Sequence, residues 1–569
     1  MTGLEQIRNR AGGAGRHAAR PEGMEEIFSD SSREKKTRLP EWLRGIHLNH
    51  IVCFLFLAVA LCWFPRYAKT TYDTLAKDKM EFFVQITLWA GAISLGVAVL
   101  RFLIHPKKSL QGPHQWVSAT DVGVLLFWIV AIISWKMSAY PEEAYRGSDY
   151  RSHGLVILTM YVIAYFVISR FSKWSEASVV LFLAAGSSVL WIALQNQLGN
   201  DVLGMYLKTY TGQKGKSIST LGNLNFFSSY VCMYSAVAVM LFLRGKRWYV
   251  NIFTAIFSLF GFCGLLIGNS DSGILGVGLL LLLAPMFARN FRELARYFVV
   301  LALFCLSGKV IGYFYARPGV VLRFGMSSFS EKMVESGKFW ALFWLCMLAA
   351  GICILLSIKW SKVIFPVWGK WIWFGLLAVA GVVALCAFLY YSVIDRQSDL
   401  GEMANYLRFS DWWGTHRGYA WRVAWQEFCN FKGKDLWVGT GADTATHIYL
   451  WKYYNEMMNM FGAFFENVHN EFLQYLVTLG ILGVTGYIAT IVSGGARAFW
   501  RQTTASPARL AAGMAVLCYA VQGIVNISQT MTTPIFFVLL GVAEGTVRIA
   551  RRENLLRRKK EPKPESHIE

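Results

Sequence analysis

Apolar runs of about twenty residues alternate with short polar connections along this chain, from roughly Ile51 to Ile549. A helix rising about 1.5 Å per residue needs a run of that length to cross a hydrocarbon core of about 30 Å. The pattern predicts about fourteen membrane helices, at about 48–64, 82–104, 121–139, 154–170, 178–196, 223–243, 249–269, 273–288, 297–315, 339–358, 371–393, 469–492, 510–527 and 533–549. The expected fold class is all-α: a polytopic transmembrane helical bundle forming one continuous domain over 48–549, between basic tails at 1–47 and 550–569. The first tail is polar, with neither a short apolar core nor a small-residue cleavage site. It reads as a disordered cytoplasmic segment and not as a signal peptide.

Charge adds an orientation. The formal net charge of +21, in a chain that is 55% hydrophobic and 16% charged with a mean hydropathy of +0.39, would point a soluble protein towards nucleic acid. Here the basic residues concentrate in alternate connections: His105 to Lys108, Ser172 to Trp174, Arg244 to Arg247, Arg289 to Arg296, Lys359 to Lys370 and Arg497 to Arg509. Short basic connections stay in the cytoplasm, so both tails are expected inside. That leaves Tyr140 to His153, Gln197 to Gly222, Ala316 to Gly337 and a long segment, 394–468, on the outer side. The long loop has aromatic residues at helical spacing, Trp421, Trp425 and Phe428, and is expected to hold short amphipathic helices. Nine of the ten cysteines fall in apolar spans and Cys429 alone lies in the loop, so neither a disulfide framework nor a metal-ligand spacing can be built from them.

Function is sought in the outward segments. Ala144 to Gly154 carries Arg146 and Arg151, whose forked donors suit a phosphate or diphosphate at a membrane interface; lipid headgroups are the alternative partners. Asn223 and Asn225 interrupt the entry to the sixth span, where they can cap the helix or hydrogen-bond a hydroxylated ligand. Asp271, in the turn Gly268 to Gly273, must face water or pair with an arginine. The long loop contributes His416 to Arg422, Val438 to Asp443 and Glu466 to Glu471, and runs into a span where Gly480, Gly483 and Gly486 allow close helix approach. A neutral imidazole at His469 could accept a proton from an attacking hydroxyl; a capping or packing role is the alternative. No phosphate loop, Gly-x-Ser-x-Gly elbow, His-Glu-x-x-His or Cys-x-x-Cys is present.

In order, these segments resemble the O-antigen ligase and polymerase superfamily of bacterial envelope enzymes. The resemblance rests on Arg151 to Gly154, Gly222-Asn223-Leu224-Asn225-Phe226, Ser270 to Gly273, Arg417 to Trp421, Gly439-Thr440-Gly441, and His469-Asn470 followed by Gly480 and Gly483. It covers roughly residues 120–545. The chain departs from the family at Asp271, where an arginine is usual, and at Val484, where ligases often have threonine. The resemblance implies a GT-C-like glycosyltransferase of the bacterial cytoplasmic membrane with its active site outside. Its donor would be a glycan linked to undecaprenyl diphosphate and its acceptor a hydroxyl of a glycan, lipid or protein, with no nucleic acid partner. It further implies His469 and Arg417 as catalytic residues and Arg146, Arg151, Arg422, Asn223, Asn225, Asp443 and Asn470 as substrate contacts. Transfer would proceed with inversion, without a metal or cofactor. Two other readings are a peptidoglycan-type polymerase, with Asp411 or Asp443 as the base, and a lipid-linked-sugar flippase.

Overall fold

Several of the apolar runs begin where a short polar side chain can take up helix N–H groups that lack a carbonyl partner. The computed structural model describes residues 48–560 except 70, 105, 107–115, 149–150, 173–175, 207–211, 213–214 and 318–325. In it Ser118, Asn223, Asn290, Asn470 and Ser506 each cap the helix that follows. The tail expected at 1–47, the last residues 561–569 and parts of the basic connections near 107 and 173 lie outside the described residues.

All fourteen expected spans are helical, and no strand forms among the described residues. The chain runs through α1 (Leu48–Ala58), α2 (Leu75–Ile104), α3 (Ala119–Met137), the short α4 (Pro141–Arg146), α5 (Leu155–Phe171), α6 (Glu176–Gln197), α7 (Leu224–Arg244), α8 (Trp248–Ile267) and α9 (Asp271–Leu283). It continues through α10 (Phe291–Tyr315), α11 (Ser328–Glu335), α12 (Lys338–Lys359) and α13 (Val367–Leu389) into the long loop, which holds α14 (Trp413–Asn430), α15 (Lys434–Val438) and α16 (Ala445–Phe461). The last helices are α17 (Glu471–Phe499), α18 (Pro507–Gln522) and α19 (Thr533–Lys560). Among the described residues, twelve helices are long and apolar enough to cross a membrane; the other two expected spans, Leu155–Phe171 and Asp271–Phe287, are shorter.

α7 is apolar around its whole circumference, and such a helix belongs in the interior. It is buried at every position from Phe227 to Arg244, packed against α8 and α18. α3 and α17 lie alongside each other at two glycines: a Cβ at Gly123 would sit 2.7 Å from the Thr490 amide nitrogen, and one at Gly486 would sit 2.7 Å from that of Phe127. Helices without side chains at the crossing approach closely, which strengthens packing inside a membrane.

Gly480 does something different. It adopts φ +66° inside α17 and kinks the helix, a conformation that costs glycine little and an L side chain much. The kink exposes the Val477 and Thr478 carbonyls to the loop, where the Thr440 and Gly441 amides donate to them at 3.3 and 2.9 Å and the Ser134 hydroxyl adds a 3.0 Å bond to Thr478. The loop backbone is thereby clamped to the membrane helix. A Cβ at Gly480 would fall 2.3 Å from the Trp437 carbonyl carbon. Gly480→Ala is expected to destabilise by more than about 1 kcal/mol, with the loop released before the bundle; limited proteolysis of the loop against thermal unfolding of the whole chain checks this.

On the face away from the loop, Asp121 accepts two bonds from Arg170 at 3.1 Å each, one from Arg548 at 2.5 Å and one from Tyr165 at 2.8 Å. Glu544 pairs with Arg497 at 2.7 Å and Arg548 at 3.1 Å. This network ties α3, α5, α17 and α19 together, with both carboxylates almost fully buried.

Candidate functional site

Where the loop meets the bundle, the turn Gly439 to Asp443 lies on the kink of α17 and directs the Asp443 carboxylate back towards the segment between α4 and α5. One Asp443 oxygen accepts from the Ser148 amide at 2.8 Å, the Ser148 hydroxyl at 3.0 Å and the His153 amide at 3.2 Å. The other lies 3.6 Å from Nε of Arg151. Arg151 donates through Nη2 to the Ser528 carbonyl at 3.0 Å. Its Nη1 and Nε are buried and have no hydrogen-bond partner among the described residues. A guanidinium fixed through Nη2 and faced by Asp443 at Nε, with Nη1 buried and unpartnered, can still offer that one donor to an anion.

His469 enters from the other side. Its amide donates to the Asn467 side chain at 3.0 Å, its carbonyl accepts from the Trp421 indole at 3.4 Å, and Phe465 stands edge-on to the imidazole. Nδ1 is buried without a hydrogen-bond partner among the described residues. Burial first, then the positive fields of Arg417 and Arg151, push the imidazole down from 6.5 to about 3. Arg417, His469 and Arg151 therefore share one electrostatic environment although they come from three separate segments. Arg417 is itself pushed down by burial, with Asp271 at the start of α9 opposing the shift. No hydrogen bond or close ion pair links Arg417 to any described residue.

The backbone around these groups is strained. Ser152, His416, Asp443 and His469 have φ of +51°, +71°, +61° and +54°. Gly414, Thr415 and His416 make a left-handed turn that sets the direction in which Arg417 leaves α14. Such conformations cost about 1–3 kcal/mol each for residues with side chains, and they cluster where a side chain must be aimed.

The remaining expected contacts are arranged otherwise. Arg422 is held by Asp411 through bonds of 2.9 and 3.0 Å, with Glu456 at 3.5 Å, so its fork is already filled. Five positions along a helix rotate a side chain by about 140°, which turns Arg422 away from the direction of Arg417. Asp443 is engaged in aiming Arg151, and Asp411 in holding Arg422. Asn470 caps α17 with bonds of 3.0 Å to the Phe472 and Leu473 amides, and Asn223 caps α7 through the Asn225 amide at 2.8 Å. The Asn225 side chain accepts from Ser270 at 2.8 Å, and its carbonyl from Asn526 at 3.1 Å, within a polar cluster under the site. Arg146 is exposed on α4 and bonds no described side chain; residues 149–150 of its segment lie outside the described residues.

Three groups were not singled out from the sequence. Glu466, half-buried, is pushed up by burial, against the pull of Arg151. Glu471 is wholly buried with both carboxyl oxygens unpartnered among the described residues, and packs so closely on Gly523 that a Cβ there would lie 2.6 Å from it. His153 is pushed down to about 4 by burial. The sequence signal for the two acids was their place within Glu466 to Glu471; nothing distinguished them from solvated acids. No group of three His, Cys, Asp or Glu side chains that could hold a metal occurs among the described residues.

The two histidines make stability depend on pH. Each titrates near 6.5 when unfolded and at about 3 or about 4 when folded. Between those values the unfolded chain binds more protons, so stability rises with pH and is lost on acidification. Glu466 opposes this in part, its neutral form being the one favoured by folding. Unfolding free energy in mixed micelles is expected to fall from pH 6.5 towards pH 4, with a shallower fall in His153→Gln.

Residues 333–488 match the family described as O-Antigen ligase. That stretch begins at the end of α11 and includes Arg417, Asp443, His469 and the Gly480 kink. No curated protein matches the chain.

Proposed function

We infer that this chain, whose residues 333–488 match the O-Antigen ligase family, transfers a glycan from a polyprenyl-diphosphate carrier to an acceptor hydroxyl. The reaction takes place at the outer face of a bacterial cytoplasmic membrane. The observation that carries this reading is the joint action of Arg417 and Arg151 on the His469 imidazole, with the buried Nη1 of Arg151 left over. Two guanidiniums suit a diphosphate, and the nearby imidazole suits a hydroxyl that must lose a proton.

In the step proposed, the acceptor oxygen attacks the anomeric carbon from the side opposite the diphosphate. The new carbon–oxygen bond forms as the bond to the diphosphate oxygen breaks, and the configuration inverts. The acceptor proton passes to His469, and the electron pair of the broken bond goes to the diphosphate, whose charge Arg417 and Arg151 stabilise. The arginines supply that charge in place of a divalent ion. Burial, and after it the same two guanidiniums, make His469 a weak base. A diphosphate that neutralises the guanidiniums relieves only their part of the shift.

The test is reconstitution of the purified full chain with lipid-linked glycan and a candidate acceptor. A glycosidic product of inverted configuration together with free polyprenyl diphosphate is expected. Movement of the lipid-linked sugar across the bilayer without a glycosidic product would refute the reading.

A further inference from the structure

A second group of side chains stands beside the transfer centre and takes no part in it. His447, in the first turn of α16, is hydrogen-bonded to Glu143 of α4. The Tyr140 ring stacks on its imidazole with centroids 3.7 Å apart and planes 4° from parallel. One turn along α16, the Trp451 indole continues the series at 6.4 Å and 20°. Trp451 is 81% exposed, the most open large apolar side chain among those described in the long loop, and Tyr140 is 42% exposed.

The platform is joined to the site by short rigid connections. α16 begins directly after Asp443 and Thr444, which places His447 about 3 Å and Trp451 about 9 Å along the helix from its start. α4 ends at Arg146, one turn beyond Glu143, and Ser148 then bonds Asp443.

We propose that Tyr140, the His447–Glu143 pair and Trp451 form a glycan subsite, which holds a pyranose ring of the substrate chain beyond the sugar whose bond is made or broken. The proposal rests on the glycan-transfer reading and names the part of the substrate that the loop recognises. An open indole face beside polar groups suits a sugar, which presents C–H bonds from one ring face and hydroxyls from its rim. Membrane anchoring is the competing use of an exposed tryptophan. The rim carries both signs of charge, with Glu142 and Arg146 exposed on α4 and Lys452 exposed beside Trp451, so a lipid probe is needed to separate the two uses.

The experiment uses the full chain in lipid nanodiscs. Two probes are required: oligosaccharide freed from its carrier by mild acid, and lipid-linked glycans of one sugar and of three or more. Trp451→Ala is expected to weaken oligosaccharide binding about tenfold and to raise KM for the longer glycan by a similar factor, with kcat unchanged. The one-sugar substrate should be unaffected, and Trp451→Phe should restore most of the loss. His469→Ala should bind oligosaccharide like the wild type while transferring nothing. Equal binding by wild type and Trp451→Ala, or a fall in kcat with unchanged KM, would overturn the proposal. So would fluorescence quenching by brominated lipid that disappears in Trp451→Phe. Product formation that is indifferent to Trp451 would sink the subsite alone. Trp451-dependent binding without any glycosidic product would sink the transfer reading instead.

Discussion

His469→Ala is expected to lower kcat for glycan transfer by about 10²- to 10⁴-fold, the usual cost of removing a positioned general base. Arg417→Ala is expected to lower it by about 10²- to 10³-fold, the cost of losing one electrostatic stabiliser of developing charge. Neither change should unfold the chain. Arg417 holds no close partner among the described residues, and the His469 side chain accepts and donates no hydrogen bond within them. Arg417→Lys should recover only part of the loss, since an ammonium cannot present two parallel donors to a diphosphate. The double variant should be little worse than the poorer single one, because both groups act in the same step. Single-turnover transfer with lipid-linked glycan, normalised to folded protein, measures all four. Near wild-type rates in both single variants would remove His469 and Arg417 from the mechanism. Arg151 is the poorer choice for this test, since its bonds to Ser528 and Asp443 also hold the loop on the bundle.

The second large effect lies on the opposite face. Asp121→Ala is expected to destabilise the protein by about 3–5 kcal/mol, because it leaves Arg170 and the almost fully buried Arg548 side by side without the carboxylate between them. Replacing a whole buried ion cluster with apolar groups can be neutral; removing one member leaves charge stranded. Equilibrium unfolding in mixed micelles checks the magnitude. The transfer rate of the fraction that stays folded should be normal, which separates this change from those at His469 and Arg417.

The fourteen helices were legible because each is written locally, as an apolar run between polar connections, some of them opened by a capping side chain such as Ser118 or Asn470. The pairing of Asp443 with Ser148 and of His447 with Glu143 was not, since each joins residues about three hundred positions apart and nothing in either segment names the other. His469 and Arg417 were picked out through the family resemblance, and the structure brings them into one electrostatic environment. Arg422 was chosen with Arg417 for its residue type, but helix geometry separates the two and Asp411 takes the second. Gly480 was read as a small residue admitting a neighbouring helix. What it admits is loop backbone, because positive φ and freed carbonyls matter there more than side-chain size.

The kink at Gly480 divides α17 into parts that answer to different surroundings. Residues 471–479, which follow His469, are held by the loop through Thr440 and Gly441 and by α3 through Ser134; residues 481–499 pack along α3 at Gly486. Thr478 is thus gripped from both sides, and the Ser138 hydroxyl of the α3 end bonds the Thr440 carbonyl of the loop as well. A tilt of α3 is thereby passed to the turn that aims Asp443, and the reactive groups keep register with the helices that span the lipid.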